Sequence, residues 1–180
     1  MKKRTKYIMN NGLAFSENSD MEKLGALAKE GWIFERISSF GFTYKLKRGK
    51  PQQVQYSIDY QKNPDEEYFS YFEEAGWTHI DSSVDYIHIF QGAEDAIPLY
   101  SDKETMKQKY SSAKKMSGLL AFPALLVLLA LFFIRFLSVN GTLPAIAGDI
   151  SVGLMMIVFI VLVFSGMPYA AYLWRLFKMK

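Results

Sequence analysis

The chain of 180 residues contains no cysteine. A disulfide framework, a thiolate metal site and a cysteine nucleophile are therefore excluded. The sequence also lacks a phosphate-binding glycine loop, a Gly-x-Ser-x-Gly motif and a His-Glu-x-x-His motif. These absences argue against the common nucleotide-binding and hydrolytic chemistries. We therefore expect a protein that is not an enzyme and that carries no cofactor.

An excess of positive over negative charge is confined to two short regions, although the formal net charge of the chain is +3. Residues 1–100 contain 12 Lys and Arg against 15 Asp and Glu. This balance is unlike that of a nucleic-acid-binding surface, so no nucleic-acid partner is expected. The basic residues beyond this region lie mainly before one apolar run and after another. Segment 138–149, between the two runs, contains no Lys or Arg.

Two long runs contain no charged residue, at 116–134 and 150–174. Each is long enough to cross a hydrocarbon layer of ~30 Å as a helix. Neither shows the polar and apolar alternation of a membrane barrel strand. The sequence therefore predicts transmembrane helices at 116–137 and 150–174, joined by an extracytoplasmic loop at 138–149. The lipid bilayer is the first expected partner.

The remaining segments are assigned from their charge and composition. We expect a cytoplasmic α+β domain at 1–98, a basic juxtamembrane linker at 99–115 and a basic cytoplasmic tail at 175–180. Because Lys and Arg flank the spans and are missing between them, the positive-inside rule places both termini in the cytoplasm. This predicts a multi-pass protein of the cell membrane. No apolar run follows the basic start, so no cleavable signal peptide is expected.

Within the first 98 residues, alternation and turn residues predict six strands and two helices. Ser19 and Glu22 have the spacing of a capping box and predict the start of the first helix. Asn63 is predicted to cap the second helix, with Pro64 as its first residue. Strands are predicted at 3–9, 32–38, 42–48, 54–60, 77–81 and 86–91.

The two halves of this domain follow the same order of strand, helix, Gly-Trp, strand, turn and strand. The Gly-Trp pairs are at 31–32 and 76–77. Duplication is one interpretation, and an ordinary small α+β domain is the other. Both predict an antiparallel sheet with the two helices on one face. We also expect Trp32 and Trp77 to anchor their preceding helices in equivalent buried positions.

A resemblance to a known family rests on three features of the sequence. They are the two Gly-Trp pairs, Asp59 inside the tyrosine-flanked segment 56–60, and the paired apolar spans that follow. Over roughly residues 10–92, the chain resembles the bacterial membrane proteins grouped as domain-of-unknown-function family 2812. The resemblance implies a cytoplasmic α+β domain on a bacterial cell membrane. It implies no known activity, so no site residue is transferred.

Aromatic side chains supply the candidate binding surface. Trp32, Tyr44, Tyr56, Trp77 and Tyr86 suit a cleft for a small apolar ligand or a protein partner. Packing in the domain core is the alternative for each of them. The sequence does not distinguish the two.

The two histidines of the chain, His79 and His88, lie on neighbouring predicted strands. If the numbers of facing residues in this hairpin sum to 167, His79 and His88 are opposite each other. Asp81 then lies on the same face of the sheet. Two imidazoles and a carboxylate would then be within reach of one metal ion. Ordinary strand positions are the alternative, because a slip of one residue separates the pair.

Together these features predict a membrane-anchored, non-catalytic recognition module, either a sensor or an adaptor. Its cytoplasmic domain is expected to bind a small ligand or a membrane-protein partner. A structural accessory subunit of a larger membrane complex is the first alternative. A small hydrolytic enzyme is the second.

Overall fold

The structure, a computed structural model, describes residues 4–38 and 41–179. The chain divides into two compact units, Met1–Lys109 and Tyr110–Lys180. The first unit is an α+β domain, and the second contains most of two long apolar helices. The predicted fold class is therefore confirmed.

The first unit repeats the order strand, helix, strand, strand within its described residues. The first half contains β1 (Thr5–Met9), α1 (Leu13–Lys29), β2 (Trp32–Ser38) and β3 (Thr43–Arg48). The second half contains β4 (Val54–Tyr60), α2 (Glu66–Glu74), β5 (Trp77–Ser83) and β6 (Ile87–Ala93).

Each half forms its own three-stranded antiparallel sheet. The strand orders are β1-β3-β2 and β4-β6-β5, so the last strand of each half is central in both sheets. The expectation of one antiparallel sheet is therefore wrong. The expected repeat of topology is present, because both halves pair their strands in the same order.

The irregularities of the two sheets also correspond. Gly31 and Gly76 have φ angles of 82° and 81°, and each directly precedes a strand. Only glycine adopts such angles without steric cost. The ladder then shifts register between Phe34 and Arg36 in β2, and between His79 and Asp81 in β5. Each strand thus carries a bulge after its third residue.

Helix α1 joins the two halves. It packs against β2 of its own sheet and against β4 of the other sheet. A methyl group at Gly25 would lie 3.1 Å from the carbonyl oxygen of Val54, which shows how closely the helix approaches β4. The buried apolar residues around it are Ala14, Met21, Leu24, Ala28, Phe34, Tyr44, Leu46 and Ile58.

Both helix starts of the first unit differ from the prediction. Helix α1 begins at Leu13 and has a non-helical residue at Ser16, so Ser19 lies inside the helix and does not cap it. Helix α2 is capped by Asp65, whose carboxylate accepts a hydrogen bond of 2.9 Å from the backbone N–H of Tyr68. Glu66 and Glu67 follow this cap as an acidic first turn.

The second unit forms a helical hairpin. Helix α3 (Lys103–Val139) and helix α4 (Ala145–Lys178) contain the two predicted spans. Segment 99–115, predicted as a linker, is helical from Lys103 onward. The helices pack through a stacked Tyr110–Tyr172 pair with ring centroids 6.0 Å apart. By length and composition, both helices are suited to cross a membrane.

The two tryptophans after the glycines occupy different environments. Trp77 is 1% exposed, packs with Phe72 and Phe90, and donates a 3.0 Å hydrogen bond to the carbonyl oxygen of Ile97. Trp32 is half-buried, and cations flank its ring. The expectation of two equivalent core anchors is therefore wrong for Trp32.

We predict unequal costs for removing the two indoles. Trp77→Ala should lower the free energy of unfolding by about 3–5 kcal/mol, because it leaves a cavity among fully buried rings. Trp32→Ala should cost less than about 1 kcal/mol. Denaturant unfolding of the full chain in detergent, followed by far-UV circular dichroism, measures both. Similar losses for the two variants would contradict this difference in packing.

Candidate functional site

The five candidate aromatic residues do not form one cleft. Tyr44, Tyr56 and Trp77 are buried in the core. The ring of Phe34 lies edge-on to Tyr44 and to Tyr56, with centroids 5.9 Å apart in each pair. Trp32, in contrast, borders open space.

An open groove of about 750 Å³ lies beside Trp32. We call it the Trp32 groove, and it is lined by Arg4, Thr5, Lys6, Tyr7 and Trp32. Four of these residues are consecutive and belong to β1 or its start, which is an edge strand of its sheet. The groove therefore follows the end of an edge strand.

Strand pairing brings a third cation beside the groove. Arg48 pairs with Trp32, and its backbone N–H donates a 2.9 Å hydrogen bond to the carbonyl oxygen of Arg4. Arg4 and Lys6 are two residues apart in an extended chain and share a face with Arg48. Two cationic side chains therefore flank the indole, and a third, that of Arg4, belongs to the groove lining beside it.

Electrostatic contacts hold two of these cations in place. The Lys6 ammonium is 5.5 Å from the centroid of the Trp32 ring, and the Arg48 guanidinium carbon is 5.1 Å away. Both distances are within the range of cation–π attraction. The guanidinium also donates a 2.9 Å hydrogen bond to the carbonyl oxygen of Glu30. Among residues 4–38 and 41–179, no carboxylate forms an ion pair with Arg4, Lys6 or Arg48.

The predicted metal-binding trio does not form. His79 pairs with Phe90 and Asp81 pairs with Ile89, so His79 and His88 are not opposite each other. The expected strand register, in which the numbers of paired residues sum to 167, is therefore wrong. The Asp81 carboxylate accepts a 2.7 Å hydrogen bond from the backbone N–H of Ile37. No group of three potential metal ligands occurs in the part of the chain that the structure describes.

The bulge in β5 instead places Ser82 between the two histidines. His88 Nε2 lies 2.8 Å from the carbonyl oxygen of Gln61, which only accepts, so this nitrogen carries the proton. In the neutral ring, Nδ1 then accepts from the Ser82 hydroxyl at 2.8 Å. The Ser82 oxygen in turn accepts from His79 Nε2 at 2.9 Å. Sequence reasoning missed Ser82 because it assumed a regular ladder.

We predict that the pKa of His79 in the folded protein lies below the ordinary imidazole value of 6.5. Burial lowers the pKa of His79 most, and the nearby His88 lowers it further. The ring of Phe69, 4.7 Å away between centroids, contributes to that burial. The folded state disfavours the protonated form of His79. The free energy of unfolding therefore decreases progressively as the pH falls through 6.5. Well above pH 6.5, His79 is neutral in both states and does not affect the stability. An NMR titration of the imidazole protons measures the midpoint.

The matched variant for this titration is Phe69→Ala, which exposes the ring. Its midpoint should move back toward 6.5. A wild-type midpoint at or above 6.5 would show that burial does not control this histidine.

A second polar feature of the first unit is a buried ion pair. Glu17 and Lys109 are 2% and 6% exposed, and the Lys109 ammonium binds one carboxylate oxygen of Glu17. The Tyr60 hydroxyl donates to the other oxygen at 3.2 Å. The Lys109 ammonium also lies 4.5 Å from the centroid of the Tyr100 ring. This pair fixes the start of α3 on α1.

Tyrosine hydroxyls bind the two other buried carboxylates. Asp20 accepts from Tyr44 at 3.3 Å, and Asp59 accepts from Tyr68 at 2.7 Å and from Tyr100. Burial raises the pKa of Tyr44, Tyr68 and Tyr100, and the neighbouring carboxylates raise it further. The hydroxyls therefore keep their protons and act as donors. These contacts satisfy buried charge, as a folded core requires.

We predict that Lys109→Met lowers the free energy of unfolding by about 3–5 kcal/mol, because it leaves the Glu17 carboxylate buried without its ammonium partner. Lys107→Met, two residues earlier on the same helix, is the control. It removes a partly exposed pair with Glu104 and should cost less than about 1 kcal/mol. Denaturant unfolding measures both variants. Equal costs would mean that the buried pair contributes no more than a surface pair.

These features define a class of protein in which an α+β domain of two like halves precedes a hairpin of long apolar helices. The chain belongs to a protein family of unknown function, DUF2812, whose model matches residues 16–122. The match runs from α1 into the apolar part of α3, and it confirms the family expected from the sequence. No curated protein and no solved structure matches the chain.

Proposed function

We propose that this protein is a membrane-anchored recognition module. In this proposal the helical hairpin inserts into a lipid bilayer, and the α+β unit binds its ligand at the Trp32 groove. The observation that carries the anchoring is the exposure of two long apolar helices.

The most apolar windows of α3 and α4 have a mean hydropathy of 2.6 and are 22% and 11% buried. The core helix of a soluble protein is mostly buried, so these helices do not fit that role. Large side chains such as Leu126, Phe132 and Ile157 are more than 60% exposed. An apolar surface of this extent requires lipid or an apolar partner to cover it.

Charge supports an orientation with both ends of the hairpin in the cytoplasm. Lysines precede the apolar part of α3, and Arg175 and Lys178 lie in the last turn of α4. Arg135, near the loop, is 3.4 Å from the carboxylate of Asp149. Arg135 is the one Lys or Arg between residues 116 and 174, so the loop end carries fewer cationic residues than the opposite end, which favours the same orientation under the positive-inside rule.

The Trp32 groove supports ligand binding as the role of the first unit. It is open, it combines an aromatic ring with cations, and these cations have no carboxylate partner in the described ranges 4–38 and 41–179. Binding sites typically combine an apolar wall with a few polar groups that orient the ligand.

Single cysteines test the anchoring and the orientation, since the native chain has none. Thr142→Cys, in the exposed loop, should react with an impermeant thiol reagent on intact cells. Lys62→Cys, on the exposed surface of the first unit, and Lys178→Cys should react only after the cells are permeabilised. Labelling of either lysine position on intact cells would overturn the orientation. Recovery of the protein in the soluble fraction would overturn the anchoring.

A further inference from the structure

We infer that the Trp32 groove binds an anion that carries a phosphate group, either a free phosphate ester or a lipid headgroup. This inference rests on the proposed function, because it names the ligand class of the same recognition site. Three features of the groove carry it: unpaired cations, a preorganised guanidinium and outward-facing backbone donors.

The first feature is a local excess of positive charge in an acidic domain. Two other cations of the unit have carboxylate partners: Lys45 is 2.8 Å from Glu35, and Lys29 is bound to Glu94. The cations at the groove have none among residues 4–38 and 41–179. Like charges held close together repel each other. A ligand with two or more negative charges removes that repulsion, which favours phosphate over a single carboxylate.

The second feature is the fixed position of Arg48. The Trp32 ring and the carbonyl oxygen of Glu30 hold the guanidinium from two directions. Only one of its nitrogen atoms is used by Glu30. The remaining N–H groups form a planar fork, which matches two oxygens of a phosphate. Because the fork is already ordered, binding costs less side-chain entropy.

The third feature is the edge of β1. The hydrogen bond from the Arg48 N–H to the Arg4 carbonyl sets the alternation of the ladder. In that alternation the backbone N–H groups of Thr5 and Tyr7 point away from β3, toward the outer edge. Both residues line the groove. They add neutral donors to the three cations, and neutral and charged donors together are typical of phosphate sites.

Calorimetric titration of the full chain in a nonionic detergent tests the inference. The probes are inorganic pyrophosphate, glycerol 3-phosphate, a short-chain phosphatidic acid and an acidic peptide, at low salt. The groove variant carries Lys6→Gln and Arg48→Gln. The matched control carries Lys23→Gln and Lys62→Gln, which removes the same charge from exposed positions outside the groove lining and outside both sheets.

We expect saturable binding by the native chain and an affinity at least about tenfold lower in the groove variant. The control should stay within about twofold of the native affinity, because screening weakens its more distant charges. Arg48→Lys should bind at an intermediate level, since it keeps the charge and loses the fork. Tighter binding of the phosphatidic acid than of glycerol 3-phosphate, with the excess lost in the groove variant, assigns the lipid source, and equal binding assigns a free phosphate ester.

Three outcomes overturn the inference. The first is no saturable binding of any phosphate probe. The second is an equal loss of affinity in the groove variant and in the control, which would indicate only net charge. The third is binding of an acidic peptide at the groove without binding of phosphate, which would assign a protein partner. In each case the cysteine labelling still reports on the anchoring, so the two failures are distinguishable.

Discussion

The packing of α1 across both sheets is the contact on which the first unit depends. Each half forms a sheet of three strands, and another element must cover the apolar face of each sheet. Helix α1 covers strands of both sheets, and Gly25 permits its close approach to β4. The same helix brings Glu17 and Asp20 into the interior, where each must find partners. Tyr44 and Tyr60 therefore link the two halves through α1, and Lys109 links α1 to the start of α3.

The corresponding bulges show how one irregularity has different consequences in two like halves. In β2 the shift follows Phe34, which packs in the core. In β5 it follows His79 and aligns the imidazole with Ser82 and His88. Bulges redirect side chains without changing the strand order. The halves thus share a backbone plan but carry different polar groups.

The Trp32 groove also depends on a difference between the two halves, namely the residue that faces each tryptophan across the ladder. Trp77 faces Gly92 across the ladder, and its ring packs against that position in the core. Trp32 faces Arg48, whose long cationic side chain keeps the ring near solvent. The facing residue is therefore one of the differences between a core anchor and a candidate binding residue.

The sequence by itself determined the strands, the two apolar helices, the family and the repeated order of elements, because alternation, charge-free length and Gly-Trp spacing are local signals. Only the tertiary structure decided the division into two sheets, the bulged register and the contacts made by each cation. Arg48 illustrates the limit, since alternation places it and Lys47 on different faces of the strand but cannot show that it contacts Trp32 and Arg4. Ser82 illustrates it too, because a bulge depends on non-local pairing. Sites assembled across strands are therefore set by register, which a local pattern does not encode.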